Sequence, residues 1–258
     1  MTLRAGEKFY LFGRLAGRSN IVRTPLMEAR VICAGAGGSP WTARNLSGKA
    51  YGVESETGRW LLTVPKNGTF TCELRGRAAT LLNPAVARIT LDPGLTVLSM
   101  IRAPLLSMQW ADPGETCVTR VRDPEIPQCN VIRTSVTVLD ELVPVVAAQF
   151  ANVLADVELS REYGYYPGGD ATVRLTLWAV PVNGSGRPCG ARREVTTTQR
   201  ITGNLHHIKR NLTLIDVRVN LAPSCGAMLR AGVTVNHVSG NPVTIHGVAY
   251  SNGIMLPH

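Results

Sequence analysis

The sequence is short of aromatic residues, of charge and of long apolar runs. Phe, Trp and Tyr make up 5% of its 258 residues and charged residues 17%, whereas 45% are hydrophobic. A chain of this composition can bury a core, so it is not a disordered segment. Nowhere do about eighteen uncharged apolar residues follow one another, and we therefore expect no membrane-spanning helix.

Lysine is scarce as well, although the chain is basic. The net charge is +9 and four lysines are present, so most of the positive charge comes from arginine. Arg75 and Arg77 are spaced to share one face of a strand, as are Arg120 and Arg122. No block of five or six like charges occurs, which disfavours a nucleic-acid partner. A basic surface favours acidic partners without selecting one.

The six cysteines form no C-x-x-C pair and no spacing typical of a zinc site, so no metal site is predicted. An even, well-spread set favours three disulfides, and of the fifteen connectivities we predict the sequential one. That pairing is Cys33–Cys72, Cys117–Cys129 and Cys189–Cys225. Disulfides imply an oxidising compartment.

The N-terminal segment conflicts with that compartment. In MTLRAGEKFYLFGRLAGRSN an apolar run of four residues is too short for a signal peptide. Either a leader peptide is absent from this sequence, or the thiols are free and the protein is cytosolic. We favour the first alternative and predict a secreted or surface-exposed protein.

Most of the chain alternates like β-strands. Segments rich in Val, Thr and Ile end at Gly, Asn or Pro, with turn signals at Asn67-Gly68 and at Asp92-Pro93-Gly94. Regular short strands without long intervening helices predict an all-β protein of two tandem antiparallel β-sandwich domains, immunoglobulin-like or jelly-roll-like. We expect one domain at 1–114, a stapled hairpin or seam at 115–130, and a second domain at 131–258.

One segment is ambiguous. LDELVPVVAAQFANVLAD, residues 139–156, fits an amphipathic helix with Asp140 and Glu141 in its first turn. Pro144 would kink that helix early, and no stop signal follows. We favour strand, with helix as the alternative.

The end of NGTFTC resembles the F strand of immunoglobulin-type domains, in which an aromatic residue stands two positions before a cysteine, here Phe70 before Cys72. The resemblance covers about forty residues and implies a β-sandwich. The interval from Cys33 to Cys72 is shorter than in that family, and Trp41 comes early.

His206 and His207 are adjacent in a strand-like run. Side chains of neighbouring strand residues point to opposite faces, so the two cannot bind one metal ion together. A neighbouring strand can bring one of them to His237 or His246, but Asp216 is the only carboxylate after Glu194. We interpret the pair as ordinary strand residues.

No motif predicts a catalytic residue or a cofactor. The sequence has no G-x-S-x-G and no phosphate-binding loop, and no helix opens after AGAGG. Carboxylate pairs occur at Asp140/Glu141 and Asp156/Glu158, without further support for glycoside hydrolysis.

Two polar segments are candidates for ligand binding. REYGYYPGGD concentrates tyrosines in a glycine- and proline-rich setting, and SPWTARNLSGKAYG is a second such stretch. Exposed rings there can stack on sugars or anchor a protein partner; buried rings are core or corner residues. The predicted ligand-binding residues are Tyr163, Tyr165, Tyr166, Trp41, Arg44 and Tyr51.

We therefore predict a non-enzymatic binding or adhesion module for an extracellular glycan or protein, acidic ligands included. The alternative is a self-assembling structural subunit of a surface layer, fibre or virion, and a hydrolase is the third hypothesis. A binder is expected to expose the aromatic sets, an assembling subunit to present an apolar face or open edge strand, and a hydrolase to hold a Ser–His contact or two close carboxylates.

Overall fold

The computed structural model describes residues 2–20, 26–39, 41–46, 52–79, 88–112, 114–145, 148–161, 169–202, 207–219, 224–247 and 250–258. Strand accounts for 67% of the structure and helix for 1%, so the all-β prediction is confirmed. The helical element in these ranges is a 3-10 turn at Pro127–Cys129. Within them, no helix has the length and apolar character needed to cross a bilayer.

Strands β1 to β10 make up what we call the first half. They are Thr2–Leu3 (β1), Lys8–Ser19 (β2), Leu26–Cys33 (β3), Gly37–Gly38 (β4), Thr42–Asn45 (β5), Glu54–Thr63 (β6), Gly68–Thr69 (β7), Cys72–Ala79 (β8), Ile89–Leu91 (β9) and Val97–Ala103 (β10). The second half is Met108–Trp110 (β11), Thr116–Val118 (β12), Ser135–Pro144 (β13), Phe150–Arg161 (β14), Ala171–Val182 (β15), Arg193–Ile201 (β16), His207–Arg218 (β17), Met228–Gly240 (β18), Val243–His246 (β19) and Asn252–Pro257 (β20).

Two sheets pack face to face in the first half. One has the order β10-β2-β6, with β9 also on β2; the other has the order β4-β3-β5, with β8 also on β3. Side chains alternate along β2, so Phe9, Leu11 and Leu15 are buried while Tyr10 and Phe12 are half-buried on the opposite face. Leu11 packs against buried residues of β3 and β6, and Leu15 packs against buried residues of β3. Phe9 belongs to a neighbouring cluster with Leu3, Val64 and Phe70.

The second half is a larger sandwich. One sheet has the order β13-β18-β15-β16, and the other has the order β11-β20-β14-β19-β12, with β17 also on β14. Odd-numbered residues of β14, such as Val153 and Val157, point into the core between these sheets. Even-numbered residues point to the outer face, toward the first half. The predicted boundaries at residues 114 and 131 stay a prediction.

In its described residues, 139–145 and 148–156, the ambiguous segment is strand at both ends, as favoured. It contains the end of β13 and the start of β14, which belong to different sheets. The pairing of β13 with β18 shifts between Val138 and Glu141, and Leu139 within this bulge has a φ of 52°. The helical pattern arises because the chain changes sheets within the segment, so its apolar side chains do not keep one strand alternation.

The three disulfides have the predicted pairing: Cys33–Cys72, Cys117–Cys129 and Cys189–Cys225. The first joins register partners on β3 and β8 within one sheet, whereas the immunoglobulin disulfide joins two sheets. The second ties β12 to the 3-10 turn, and the third ties the segment after β15 to the segment before β18. Each bridge therefore closes within one half.

A buried ion pair joins the two halves. Arg59 on β6 and Asp156 on β14 are 6% and 1% exposed, with Arg59 Nε 2.7 Å from Asp156 Oδ1. The Arg59 backbone N–H donates to Asp156 Oδ2 at 2.9 Å. Further guanidinium N–H groups donate to Thr213 Oγ1 and to the carbonyls of Ala155 and Leu212, at 2.7, 2.8 and 2.9 Å. These hydrogen bonds offset part of the desolvation cost of burying both charges.

Other polar contacts cross the same surface, which we call the inter-half interface: β5 and β6 against the outer face of the sheet around β14. They are Ala43 N–H to Glu158 Oε2 at 3.1 Å, His207 N–H to Asn45 Oδ1 at 2.5 Å, and Asn252 Nδ2 to the Arg59 carbonyl at 3.0 Å. Directional bonds of this kind fix how β5 and β6 sit on the second half.

We expect Asp156→Asn to lower the free energy of unfolding by about 3–5 kcal/mol, because it leaves the Arg59 cation buried without a counterion. The control is Asp140→Asn, which breaks the exposed pair with Arg230 (2.7 Å) at the cost of less than about 1 kcal/mol. Denaturant unfolding with the disulfides intact measures both. Equal losses in the two variants would contradict the role given to Asp156.

Candidate functional site

Trp41 lies between two arginines on the outer face of the β3–β8 sheet. The guanidinium carbons of Arg30 and Arg77 are 4.5 and 4.3 Å from the centre of its ring, in cation–π contact. The register of β3 with β8 sets Arg30 opposite Arg75. Three arginines and one half-buried indole thus share this surface, which we call the arginine–tryptophan face.

Two of these arginines are paired with carboxylates. Arg77 bonds to Glu28, which is 4% exposed, and Arg75 bonds to the exposed Glu73. The hydrogen bond to Glu28 raises the pKa of Arg77. No ion pair to Arg30 is found in the described ranges. Among the described residues of this face, three arginines against two carboxylates leave one excess positive charge.

Of the other predicted ligand-binding residues, the structure describes Arg44 alone. Its guanidinium points toward β6, with Nη2 3.5 Å from Glu54 Oε1. The cation–π partners of Trp41 are Arg30 and Arg77, as given above. Tyr51, Tyr163, Tyr165 and Tyr166 lie outside the described residues, so their part in binding stays a prediction.

The outer face of the sheet around β14 carries titratable side chains that we call the histidine cluster. His207 on β17 and His246 on β19 stack with ring centres 5.1 Å apart. His207 Nδ1 is 3.6 Å from Glu158 Oε1, and His246 Nδ1 is 2.6 Å from Glu115 Oε1. His246 Nε2 is 2.8 Å from Ser160 Oγ. The five side chains form one continuous polar group.

This cluster was not predicted as a whole. A neighbouring strand was expected to be able to bring one histidine of the pair to His237 or His246, and the structure shows His207 beside His246. The carboxylates of the cluster were not predicted, because the only acidic residue after Glu194 is Asp216. Glu115 stands just before β12 and Glu158 lies on β14, both earlier in the chain. The signal that could have found them is the period-2 spacing of Glu158 and Ser160 on one face of a strand, yet the identity of the neighbouring strands is not visible in the sequence.

His206 lies outside the described residues, so its predicted position on the opposite face from His207 stays a prediction. Among the residues that the structure describes, no group of three or more His, Cys, Asp or Glu side chains is arranged to hold a metal ion.

Glu56 adds a buried carboxyl group to the inter-half interface. Its side chain is 2% exposed. Burial raises its pKa from 4.5 to about 8, Glu158 adds to the rise, and Lys209 opposes it. Glu56 is therefore mostly a neutral, protonated acid at pH 7, and it takes up a negative charge only in mildly alkaline solution.

No protein-family model matches the chain, and no curated protein matches it. Similar solved structures include that of the infectious bursal disease virus Gt strain, 12% identical, with a TM-score of 0.35 over 97% of this chain and 58% of that one. A VP2 subviral particle of infectious bursal disease virus is 9% identical, with a TM-score of 0.33 over 99% and 57%. The CBM22-1-CBM22-2 tandem domain of Paenibacillus barcinonensis Xyn10C is 13% identical, with a TM-score of 0.26 over 98% and 80%. The chain spans just over half the length of the viral chains, and likenesses this weak support no inference about function.

Glu56 makes stability depend on pH. Because its pKa is higher in the folded protein (about 8) than its ordinary 4.5, its contribution to stability is complete below pH 4.5 and is lost as the pH rises through 8. We expect Glu56→Gln to remove this loss, which amounts to at most about 4 kcal/mol at pH 8. Unfolding free energies from pH 5 to pH 9 measure it.

The exposed carboxylate of Glu73 provides the control for that experiment. Glu73→Gln is expected to leave the pH dependence of the wild type in place. If Glu56→Gln shows the same fall in stability between pH 5 and pH 9 as the wild type, the buried carboxyl is not its source.

Proposed function

We propose that the chain is an extracellular recognition and assembly protein that associates with copies of itself through strand β10. The observation that carries this proposal is a band of exposed apolar side chains on an edge strand. Such bands are uncommon on monomeric soluble proteins and mark sites of protein contact. Of the features expected for the three hypotheses, an open apolar edge is the one that favours an assembling subunit.

Strand β10 lies at the edge of its sheet and, in the described part of the chain, pairs with β2 alone. Val97 and Ile101 on it are 37% and 60% exposed, and Leu105 and Leu106 just after it are 68% and 49% exposed. Ile101 stands opposite the half-buried Tyr10 of β2. The apolar band therefore continues from the edge onto the face of the sheet.

A second copy of the chain is the partner that fits this edge best. Unpaired backbone groups of an edge strand can bond to another strand, and two β10 strands related by a twofold axis present identical, self-complementary surfaces. With the axis at Ser99, Ile101 of each copy falls opposite Val97 of the other, and Arg102 falls opposite Thr96. The two guanidinium groups are then kept apart, so antiparallel pairing places no like charges in contact.

An extracellular location accords with the cysteine chemistry. All six cysteines are in disulfides, and disulfides persist in oxidising compartments such as the outside of the cell. A rigid, cross-linked sandwich suits a protein that works without a reducing environment. We therefore include an extracellular location in the proposed function.

A second candidate function is binding of an acidic ligand, a sulfated or carboxylated glycan, at the arginine–tryptophan face. The specific observation is the Arg30–Trp41–Arg77 stack, with Arg75 opposite Arg30. Guanidinium groups bind carboxylate and sulfate through paired N–H donors, and an indole ring offers an apolar surface to a sugar. The excess positive charge of this face favours an anionic ligand.

We expect Ile101→Asp to weaken self-association, since it places a charge in the apolar band. Ile215→Asp is the matched control, because Ile215 is 63% exposed but belongs to the second half. Sedimentation velocity across a range of protein concentrations measures both variants. A wild type that stays monomeric throughout, or two variants that associate as the wild type does, would refute assembly through β10.

For the acidic ligand, we expect the double variant Arg30→Gln, Arg75→Gln to bind a sulfated oligosaccharide at least about tenfold more weakly than the wild type, by calorimetry. Arg192→Gln is the control, since Arg192 also stacks on an indole, that of Trp178, at 4.7 Å. Loss of affinity in the control alone, or in neither variant, places the ligand elsewhere.

A further inference from the structure

Three neighbouring strands place a serine, a histidine and a glutamate in a row on one face. In the register of β14 with β19, Glu158 is opposite His246 and Ser160 is opposite Thr244. Ser160 is thus two residues along from the position facing His246, on the same side of the sheet. On β12, Thr116 is opposite Ile245, so Glu115 follows opposite His246.

The row has the hydrogen-bond order of a serine nucleophile with its base and orienting acid. His246 Nε2 is 2.8 Å from Ser160 Oγ, and His246 Nδ1 is 2.6 Å from Glu115 Oε1. When the Nδ1–H group of neutral His246 donates a hydrogen bond to the Glu115 carboxylate, Nε2 carries no proton and accepts a hydrogen bond from the serine hydroxyl. This is the tautomer that a general base needs in order to take the proton of a serine.

Neighbouring groups hold the His246 ring in place. The ring of His207 stacks on it, and the ring of Tyr250 meets it edge-on at 5.9 Å between centres. The positive charge that His246 would acquire lies beside Glu115, with Glu158 opposite it across the β14–β19 ladder. These carboxylates stabilise an imidazolium, which lowers the barrier to proton transfer from the serine.

Burial of the row restricts what can reach it. Ser160 is 4% exposed and the His246 side chain 12%, whereas the Glu115 side chain is 47% exposed. A long polymer cannot approach a hydroxyl at this depth in the observed conformation. This burial restricts any acyl donor to a small molecule, and a small ester is the simplest such donor.

We propose that Ser160 and His246 are the nucleophile and the general base of an acyl-transfer site for small esters, with Glu115 as a positioning residue. Ser160 Oγ bonds to the acyl carbon as the bond from that carbon to the leaving alcohol oxygen breaks. The serine proton passes to His246 Nε2 and then to the alcohol. Water, deprotonated by His246, releases the acid and restores the serine. This activity is separate from the proposed assembly through β10.

The test uses the full chain with its disulfides intact and two probes, p-nitrophenyl acetate and a fluorophosphonate. We expect ester turnover and a fluorophosphonate adduct mapped to Ser160 by peptide mass spectrometry. Ser160→Ala and His246→Ala are each expected to lose at least about a hundredfold in turnover. Ser107→Ala is the control, because Ser107 is another fully buried serine and is expected to keep wild-type turnover.

Glu115 is tested by a readout that a purely structural role would not move. We expect Glu115→Gln to lower kcat by about a hundredfold or more and to shift the pH profile, and Glu115→Asp to restore part of the rate. Adduct mapping on the wild type needs no variant, so it stays decisive if a substitution prevents folding. Absence of an adduct at Ser160, or equal turnover in wild type and Ser160→Ala, would show that the row is only a structural hydrogen-bond chain.

Discussion

The molecule depends on a sheet whose two faces have opposite character. The residues of β14 that point one way are aliphatic and form the core of the second sandwich, while those that point the other way include Asp156, Glu158 and Ser160. Such a polar face is stable against water, or against another surface that supplies matching donors. The first half supplies them, so the arrangement of the two halves follows from the hydrogen-bonding needs of one strand.

The same constraint explains why the reactive side chains gather where they do. Once β5 and β6 cover the outer face, ionisable groups there are removed from water, and their interactions with one another strengthen. Burial raises the pKa of Glu56, so its carboxyl group keeps its proton at pH 7. On the same face, His246 is hydrogen-bonded on both sides, to Glu115 and Ser160.

Strands were predictable from the sequence because they depend on local alternation and turn residues, but strand pairing was not. Asn67-Gly68, a typical hairpin turn, separates β6 from β8, which belong to different sheets. Asp92-Pro93-Gly94 does not reverse the chain either: β9 and β10 follow one another along the same edge of β2, both antiparallel to it. Asp92 Oδ1 accepts from the N–H of Gly94 at 2.9 Å and closes a bulge between them.

The disulfides and the candidate sites also differ in how far they could be predicted from the sequence. The disulfide pairing was predictable because it is the sequential one and each bridge closes within one half. Trp41 was named as a ligand-binding residue from its polar segment, which stays a prediction, and its cation–π partners Arg30 and Arg77 could not be predicted because they lie on two separate strands. In the histidine cluster, the contact of His207 with His246 was one of the expected alternatives, but Glu115 was not predictable, since it is 131 positions from His246 and meets it only through the pairing of β12 with β19.

The placement of the disulfides has a mechanical consequence. Because none of them spans the two sandwiches, a force that pulls the halves apart is resisted at the inter-half interface by hydrogen bonds and by the Arg59–Asp156 ion pair, which re-form after they break. Each sandwich is locked by its own cross-links and would come away as an intact body. Under such a force, the inter-half interface is thus expected to separate reversibly before either sandwich unfolds. A reducing agent would destabilise the sandwiches without breaking the contacts between them.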